Sequence, residues 1–210
     1  EAAALAERFD AAAAALSSRR RRAAEALDKA VNAELKPLKL ERARFATAIA
    51  AEPDKPGPHG IDRVEFHVQT NPGTTPGPLV KVASGGELSR FLLALKVVIA
   101  DRGSAPTLVF DEIDTAVGGA VADAIGVRLA RLGRRVQVIA VTHAPQVAAR
   151  AGRHLLISKG ALDRGKRVAT RVAVLDADTR REEIARMLSG AEITAEARAA
   201  ADRLLDAAAG

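Results

Sequence analysis

Cysteine, tryptophan and tyrosine are absent from these 210 residues, and five phenylalanines make up the whole 2% aromatic content. Without cysteine there is no disulfide framework and no thiolate metal site, a usage that fits a reducing cytosol. The four histidines show no HxxxH-type spacing, which argues against zinc. Lacking aromatic platforms, the chain is not expected to stack on bases, so nucleic acid would be met at its phosphates. No window forms the unbroken apolar run that a membrane span needs, and no signal-peptide pattern opens the chain. No membrane role is expected. The first residue is Glu1 and not Met, which reads as a fragment or a processed product.

A glycine-rich phosphate loop opening a helix is missing as well. Gly160 to Lys166, GALDRGK, matches G-x-x-x-x-G-K. Arg167 then stands where Ser or Thr should reach a metal, and VATRVAVL alternates like a strand. A hairpin turn is the expectation there.

What is present is basic. Lys and Arg number 32 against 26 Asp and Glu, a formal charge of +6, with a pI near 10.1. That balance favours a polyanionic partner, although Ala and Arg enrichment is also common in GC-rich genomes.

Glu1 to about Lys36 reads as one long Ala-rich helix. Leu5, Phe9, Leu16, Leu27, Val31 and Leu35 form a narrow apolar stripe that wants a partner helix. Arg19 to Arg22 interrupts it with four cations that cover every face, read as a solvated surface or as a DNA-phosphate contact. Pro37 ends the helix. The expected division is a coiled-coil arm, 1–37, and an α/β lobe, 38–210.

From Arg44 the period becomes two. Phe45, Thr47 and Ile49, then Val64, Phe66 and Val68, flank PDKPGPHG and predict a β-hairpin. TNPGTTPGP (Thr70 to Pro78) is a shaped connection. The rest reads β-α-β. TLVF (Thr107 to Phe110) and VQVIAVT (Val136 to Thr142) are β-branched runs suited to a parallel sheet covered on both faces. A helix from Gly119 to Leu132 lies between them. HLLISK and KRVATRVAVL predict an antiparallel pair, and two helices close the chain. The first is expected to be capped by Thr179 with Glu182 three residues on, and the second to start near Thr194.

Three motifs carry chemistry. In SGGELSR (Ser84 to Arg90), Ser84 and Glu87 fit a capping box. The pair Gly85 and Gly86 goes further, letting backbone N–H groups at a helix start approach an anion. LVFDEID (Leu108 to Asp114) ends an apolar strand in adjacent carboxylates at the carboxyl edge of a parallel sheet, where α/β proteins bind ligands. Asp111 suits Mg²⁺, and Glu112 suits orienting and deprotonating water. Asp114 is open to a second reading, as a cap of the next helix. VTHAPQ (Val141 to Gln146) brings His143 out at the end of the next strand, on the same edge, where it can bond a γ-phosphate or water.

SGGELSR, FDEID and THAPQ in this order, with TNPG upstream, resemble the carboxyl-terminal part of the bacterial RecN family of double-strand-break repair ATPases, related to the chromosome-maintenance (SMC) type. The match runs from about Leu40 to Leu188; before Leu40 it is positional, the helix lying where the returning arm of the family's coiled coil re-enters the head. The resemblance implies an ABC/SMC-type P-loop ATPase head using ATP and Mg²⁺. Ser84, Gly85, Gly86 and Glu87 would meet the ATP of a partner subunit. Asp111 matches the magnesium residue, Glu112 the catalytic carboxylate and His143 the switch histidine. Asp114 to Gly119 (DTAVGG) occupies the D-loop position at the dimer interface, with Ala116 where the family usually has glycine.

The implied partners are an amino-terminal lobe carrying the Walker A loop, a second protomer across an ATP sandwich, and DNA, in a nucleoid-associated cytoplasmic setting. Alone, the chain is expected to be inactive. A non-catalytic assembly or DNA-binding module, built on the arm and the basic surface, is the alternative. A transporter subunit is disfavoured, since those chains carry the phosphate loop themselves.

Overall fold

The computed structural model describes residues 1–82, 85–99, 105–111, 113–115, 117–162, 167–190 and 192–209. The chain divides into two compact units, Glu1–Gly103 and Ser104–Gly210.

The first unit is built on α1 (Ala2–Leu35), followed by a 3₁₀ turn, Lys36–Leu38, that contains Pro37. The helix stops where proline cannot continue its ladder. Its small and apolar residues Ala13, Ser17, Ala24, Val31 and Leu35 are buried at spacings of four and seven. They share one face, which packs on β1 (Arg44–Ala51). β1 pairs antiparallel with β2 (Asp62–Gln69), with Phe45 opposite Val68 and Thr47 opposite Phe66. The hairpin expected from the alternation is therefore present. A two-residue strand, β3 (Gly77–Pro78), extends this sheet from the Pro/Gly connection. A short helix, α2 (Leu79–Val82), and α3 (Gly85–Ile99) follow; α3 packs on α1 and buries Phe91, Leu93, Ala94, Leu95 and Val97.

Polar side chains fix α1 on the hairpin. Asp28 accepts from the backbone N–H of Thr47 at 2.9 Å and from its hydroxyl at 2.7 Å. Asn32, one turn on, both accepts from the N–H of Phe45 and donates to its carbonyl. These two residues satisfy the outer edge of β1, groups that would otherwise remain open. Further along, Ser17 and Arg20 both bond Asp62, at 2.7 and 3.0 Å. Gly60 has φ +88°, and a Cβ there would meet Leu16 Cδ2 at 3.3 Å. Glycine thus lets the hairpin turn lie close against the helix.

In the second unit, β4 (Thr107–Asp111) and β5 (Gln137–Val141) are parallel neighbours joined by α4 (Gly119–Gly133). α5 (Pro145–Ala149) follows, a five-residue helix not foreseen from the sequence, with Pro145 in its first turn. β6 (Leu155–Leu162) and β7 (Arg167–Val174) form the expected antiparallel pair. The middle of the GALDRGK turn lies outside the described residues, but Arg167 begins a strand and no helix, as the hairpin reading requires. α6 (Ala177–Ser189) and α7 (Ala195–Ala209) close the chain. They enclose a core of Ala148, Ala149, Ile184, Ala185, Ala197 and Ala201.

Two expectations are corrected. Asp176, and not Thr179, caps α6: its carboxylate accepts from the Thr179 N–H at 2.8 Å. Asp176 sits just before the helix with extended backbone, where its side chain reaches the amide of the third helical residue; Thr179 is that third residue, and its hydroxyl donates to the same carboxylate at 2.6 Å. The parallel pair is also not covered on both faces by the described residues of its own unit. Phe110 is buried, yet Val109, Ile139 and Val141 on the other face remain 65%, 44% and 50% exposed. The physical reason is simple: one crossover helix can cover only one side of two strands.

Candidate functional site

The parallel register sets Asp111, the last residue of β4, opposite Val141, the last residue of β5. The loops that follow therefore leave the sheet at one edge. Asp111 is exposed, and its side chain has no hydrogen bond or ion pair to any described residue. A lone hard carboxylate in that state fits Mg²⁺, which takes one or two carboxylates and fills its remaining positions with water and phosphate oxygens.

After β5 the chain runs through Thr142, His143 and Ala144 into α5. His143 is 76% exposed, and its Nδ1 lies 3.9 Å from Asp114 Oδ2. Asp114 is the reverse case, only 2% exposed. Its Oδ2 accepts from the Thr142 hydroxyl at 2.5 Å and from the Ala144 N–H at 3.0 Å. Its Oδ1 is buried with no hydrogen-bond partner among the described residues. The helix-capping reading of Asp114 fails, because α4 has Gly118 as its N-cap and no side-chain cap. Instead Asp114 ties the loop after β4 to the loop after β5.

The support beneath these loops is close-packed. A Cβ on Gly126 would meet the Gln146 carbonyl oxygen at 3.0 Å and Val147 Cα at 3.3 Å, and one on Gly119 would meet Gln146 Nε2 at 3.1 Å. Glycines on α4 thus let α5 approach. Arg150 bonds Asp123 across the same pair of helices at 2.9 Å. From α6, Arg180 donates to the carbonyls of Ala148, Ala149 and Ala151, closing the open end of α5. Burial pushes that guanidinium below its ordinary value, and its three carbonyl acceptors favour the charged form.

In the first unit, Gly85 and Gly86 open α3, with Glu87 in its first turn. A Cβ on Gly85 would meet nothing within 4 Å among the described residues, so none of their contacts calls for glycine there. Arg90, one turn later, has its guanidinium held below the ordinary value by burial, against the opposing effect of Glu87. Ser84, Glu112 and Ala116 lie outside the described residues. Sequence reasoning missed Thr142 and Arg180. A hydroxyl residue directly before a motif histidine was the available signal for the first; nothing local marks the second.

No protein-family model matches the chain. The DNA repair protein RecN of Rickettsia bellii is 45% identical over 190 residues, which is 90% of this chain and 34% of that protein. The chain belongs to the RecN family. It spans about a third of the length of this relative. Among solved structures, an Smc head domain with a coiled coil and joint from Pyrococcus yayanosii is similar at TM-score 0.56 and 21% identity, over 78% of this chain and 29% of that one. A chain from work on "ATP-driven dimerization and DNA stimulated activation of SMC ATPases" matches at TM-score 0.51 and 18% identity, over 84% of this chain and 99% of that one. The fold is similar to that of an Smc head domain, and the chain here combines it with a helical arm.

Proposed function

We propose that this chain is the carboxyl-terminal lobe of an ATPase head, with residues 1–37 as the returning coiled-coil arm and 38–210 as the lobe. It completes an ATP site only with a Walker A-bearing amino-terminal lobe and a second protomer. The observation that carries the reading is the Asp111–Val141 register, which brings Asp111 and the His143 loop to one sheet edge. Asp111 would hold Mg²⁺, which supplies charge neutralisation at the phosphates. Glu112 would take the proton of the attacking water, and His143, exposed and beside Asp114, would bond the γ-phosphate side.

Ser84, Gly85, Gly86 and Glu87 would serve the nucleotide of the opposite protomer. The open space around Gly85 supports an approach from outside the chain. The exposed face of Val109, Ile139 and Val141 supports a covering lobe. Opening and closing of the dimer would act on DNA ends through the arms in double-strand-break repair, in the cytoplasm at the nucleoid.

The test is to mix the chain with an amino-terminal lobe and measure ATP-dependent dimerisation and turnover. Dimer formation lost on Ser84→Arg, with turnover lost on Glu112→Gln, is the expected result. ATP hydrolysis by the purified chain alone, abolished by Glu112→Gln, overturns the composite site. Turnover and dimerisation indifferent to Glu112→Gln favour the non-catalytic module.

A further inference from the structure

The four-arginine run does not act as one patch. Arg20 turns inward and is held by Asp62, while Arg19, Arg21 and Arg22 are exposed. At about 100° per residue, Arg19 and Arg22 share an arc of roughly 80° with Arg8 and Lys29. All four are exposed. That arc is centred about 180° from the buried face of Ala13, Ser17, Ala24, Val31 and Leu35. Alanines alone occupy the arc between these cations: Ala11, Ala15 and Ala26, with Ala33 beyond them, each exposed. Between Arg8 and Lys29 the nearest exposed carboxylate, Glu25, lies about 40° outside it, as does Glu7 just before; Glu1, at the start of the helix, falls at its edge. Among the described residues none of the four cations has an ion pair, and Arg22 bonds only the Ser18 hydroxyl.

We propose that this stripe of α1 (Arg8, Arg19, Arg22 and Lys29) is a rail for the phosphate backbone of duplex DNA. The inference rests on DNA as the partner class in the proposed function and names the surface that meets it. The stripe runs roughly 31 Å, the length of about nine base-pair steps. A straight row of cations on a rigid rod matches a straight polyanion better than a compact acidic surface. Three of the four are arginines, whose planar fork suits phosphate oxygens. The alanines between them let the helix lie close to the duplex. The rail cannot rotate away, because Ser17 and Arg20 on Asp62, Asp28 on Thr47 and Asn32 on Phe45 fasten the opposite side. Contacts of this kind carry no sequence preference.

The experiment uses the whole 210-residue chain and a 30-base-pair blunt duplex, with affinity measured across a salt series. In one variant Arg8, Arg19, Arg22 and Lys29 are all changed to Gln. In a control of equal charge loss Arg134, Arg153, Lys159 and Arg171, exposed in the other compact unit, are changed instead. Circular dichroism and melting verify that both fold. The stripe variant is expected to bind at least tenfold more weakly at low salt, with a salt slope smaller by about 3–4, while the control keeps most of its slope. Equal losses in both variants, or no loss in the stripe variant, overturn the rail. Stripe-dependent binding of polyglutamate as tight as binding of the duplex assigns the surface to an acidic protein and overturns it too. Failure of the unaltered chain to bind duplex removes the rail and the DNA part of the proposed function, leaving the ATP-dependent dimer to its own test.

Discussion

Thr142 donates its hydroxyl to the buried Asp114 carboxylate at 2.5 Å, and both groups meet the Ala144 N–H, at 3.0 Å each. A residue of the loop after β4 is thereby locked to one of the loop after β5. His143 is carried between two of the bonded residues, so its backbone is held while its ring stays exposed. An arrangement of this kind presents a histidine at a defined place without burying it.

Removing that lock has a measurable cost. Thr142→Val keeps the shape but takes away the donor, leaving the buried carboxylate with one of its two hydrogen bonds. A loss of about 2 kcal/mol is expected, read from urea unfolding, with Thr142→Ser close to the unaltered chain. Equal stability of the Val and Ser variants would show that the bond is not made in solution.

Acid should weaken the junction between α1 and the hairpin turn. The Ser17 hydroxyl, and after it the Arg20 guanidinium, hold the Asp62 carboxyl below its usual value. The unfolded chain, with a value of about 4, binds that proton more readily than the folded one. Asp62 therefore stabilises the fold above about pH 4 and loses its contribution as pH falls through the lower folded value. Urea midpoints measured from neutral to acid pH should fall more steeply for the unaltered chain than for Asp62→Asn. Parallel curves contradict the assignment.

Two of the three glycines of α4, Gly126 and Gly133, should answer oppositely to alanine. At Gly126 the added methyl meets backbone of α5 at 3.0 Å. Gly126→Ala is expected to cost about 1–3 kcal/mol through overpacking, despite alanine's better helix propensity. Gly133, with nothing within 4 Å, should accept alanine with a neutral or slightly favourable effect. Thermal melts of the two variants decide it.

Asp28 and Asn32 bind neighbouring parts of one strand edge, so their losses should not add. Asp28→Ala and Asn32→Ala are each expected to cost about 1–3 kcal/mol by leaving β1 amides unsatisfied. A double-mutant cycle should give a coupling of at least about 0.5 kcal/mol. Strict additivity would mean that the two clamps act independently.

Much of this was legible in residue order. The change from helical spacing to alternation at Arg44, the Pro37 stop, the β-branched runs and the hairpin around GALDRGK depend on local sterics and periodicity. Each was visible in a window of ten or so residues. Asp111 at a strand end, and His143 just beyond the next, needed only the assumption of a parallel pair. The roles of Asp114, Thr142, Arg20 and Arg180 were not visible. Their partners lie 28 to 42 residues away, and nothing in the local sequence says which buried acceptor a donor will reach.

The sequence by itself thus determined the elements, the order of the motifs and the kinship with RecN, because these are written in short-range pattern and residue identity. Only the tertiary structure decided that Asp114 faces inward and that Arg20 leaves the arginine run to hold Asp62. It also decided that one side of the β4–β5 pair is left open by the described residues of its own unit. Those outcomes depend on which distant groups burial brings together, where a carboxylate without a donor is costly and an apolar face without a cover stays exposed.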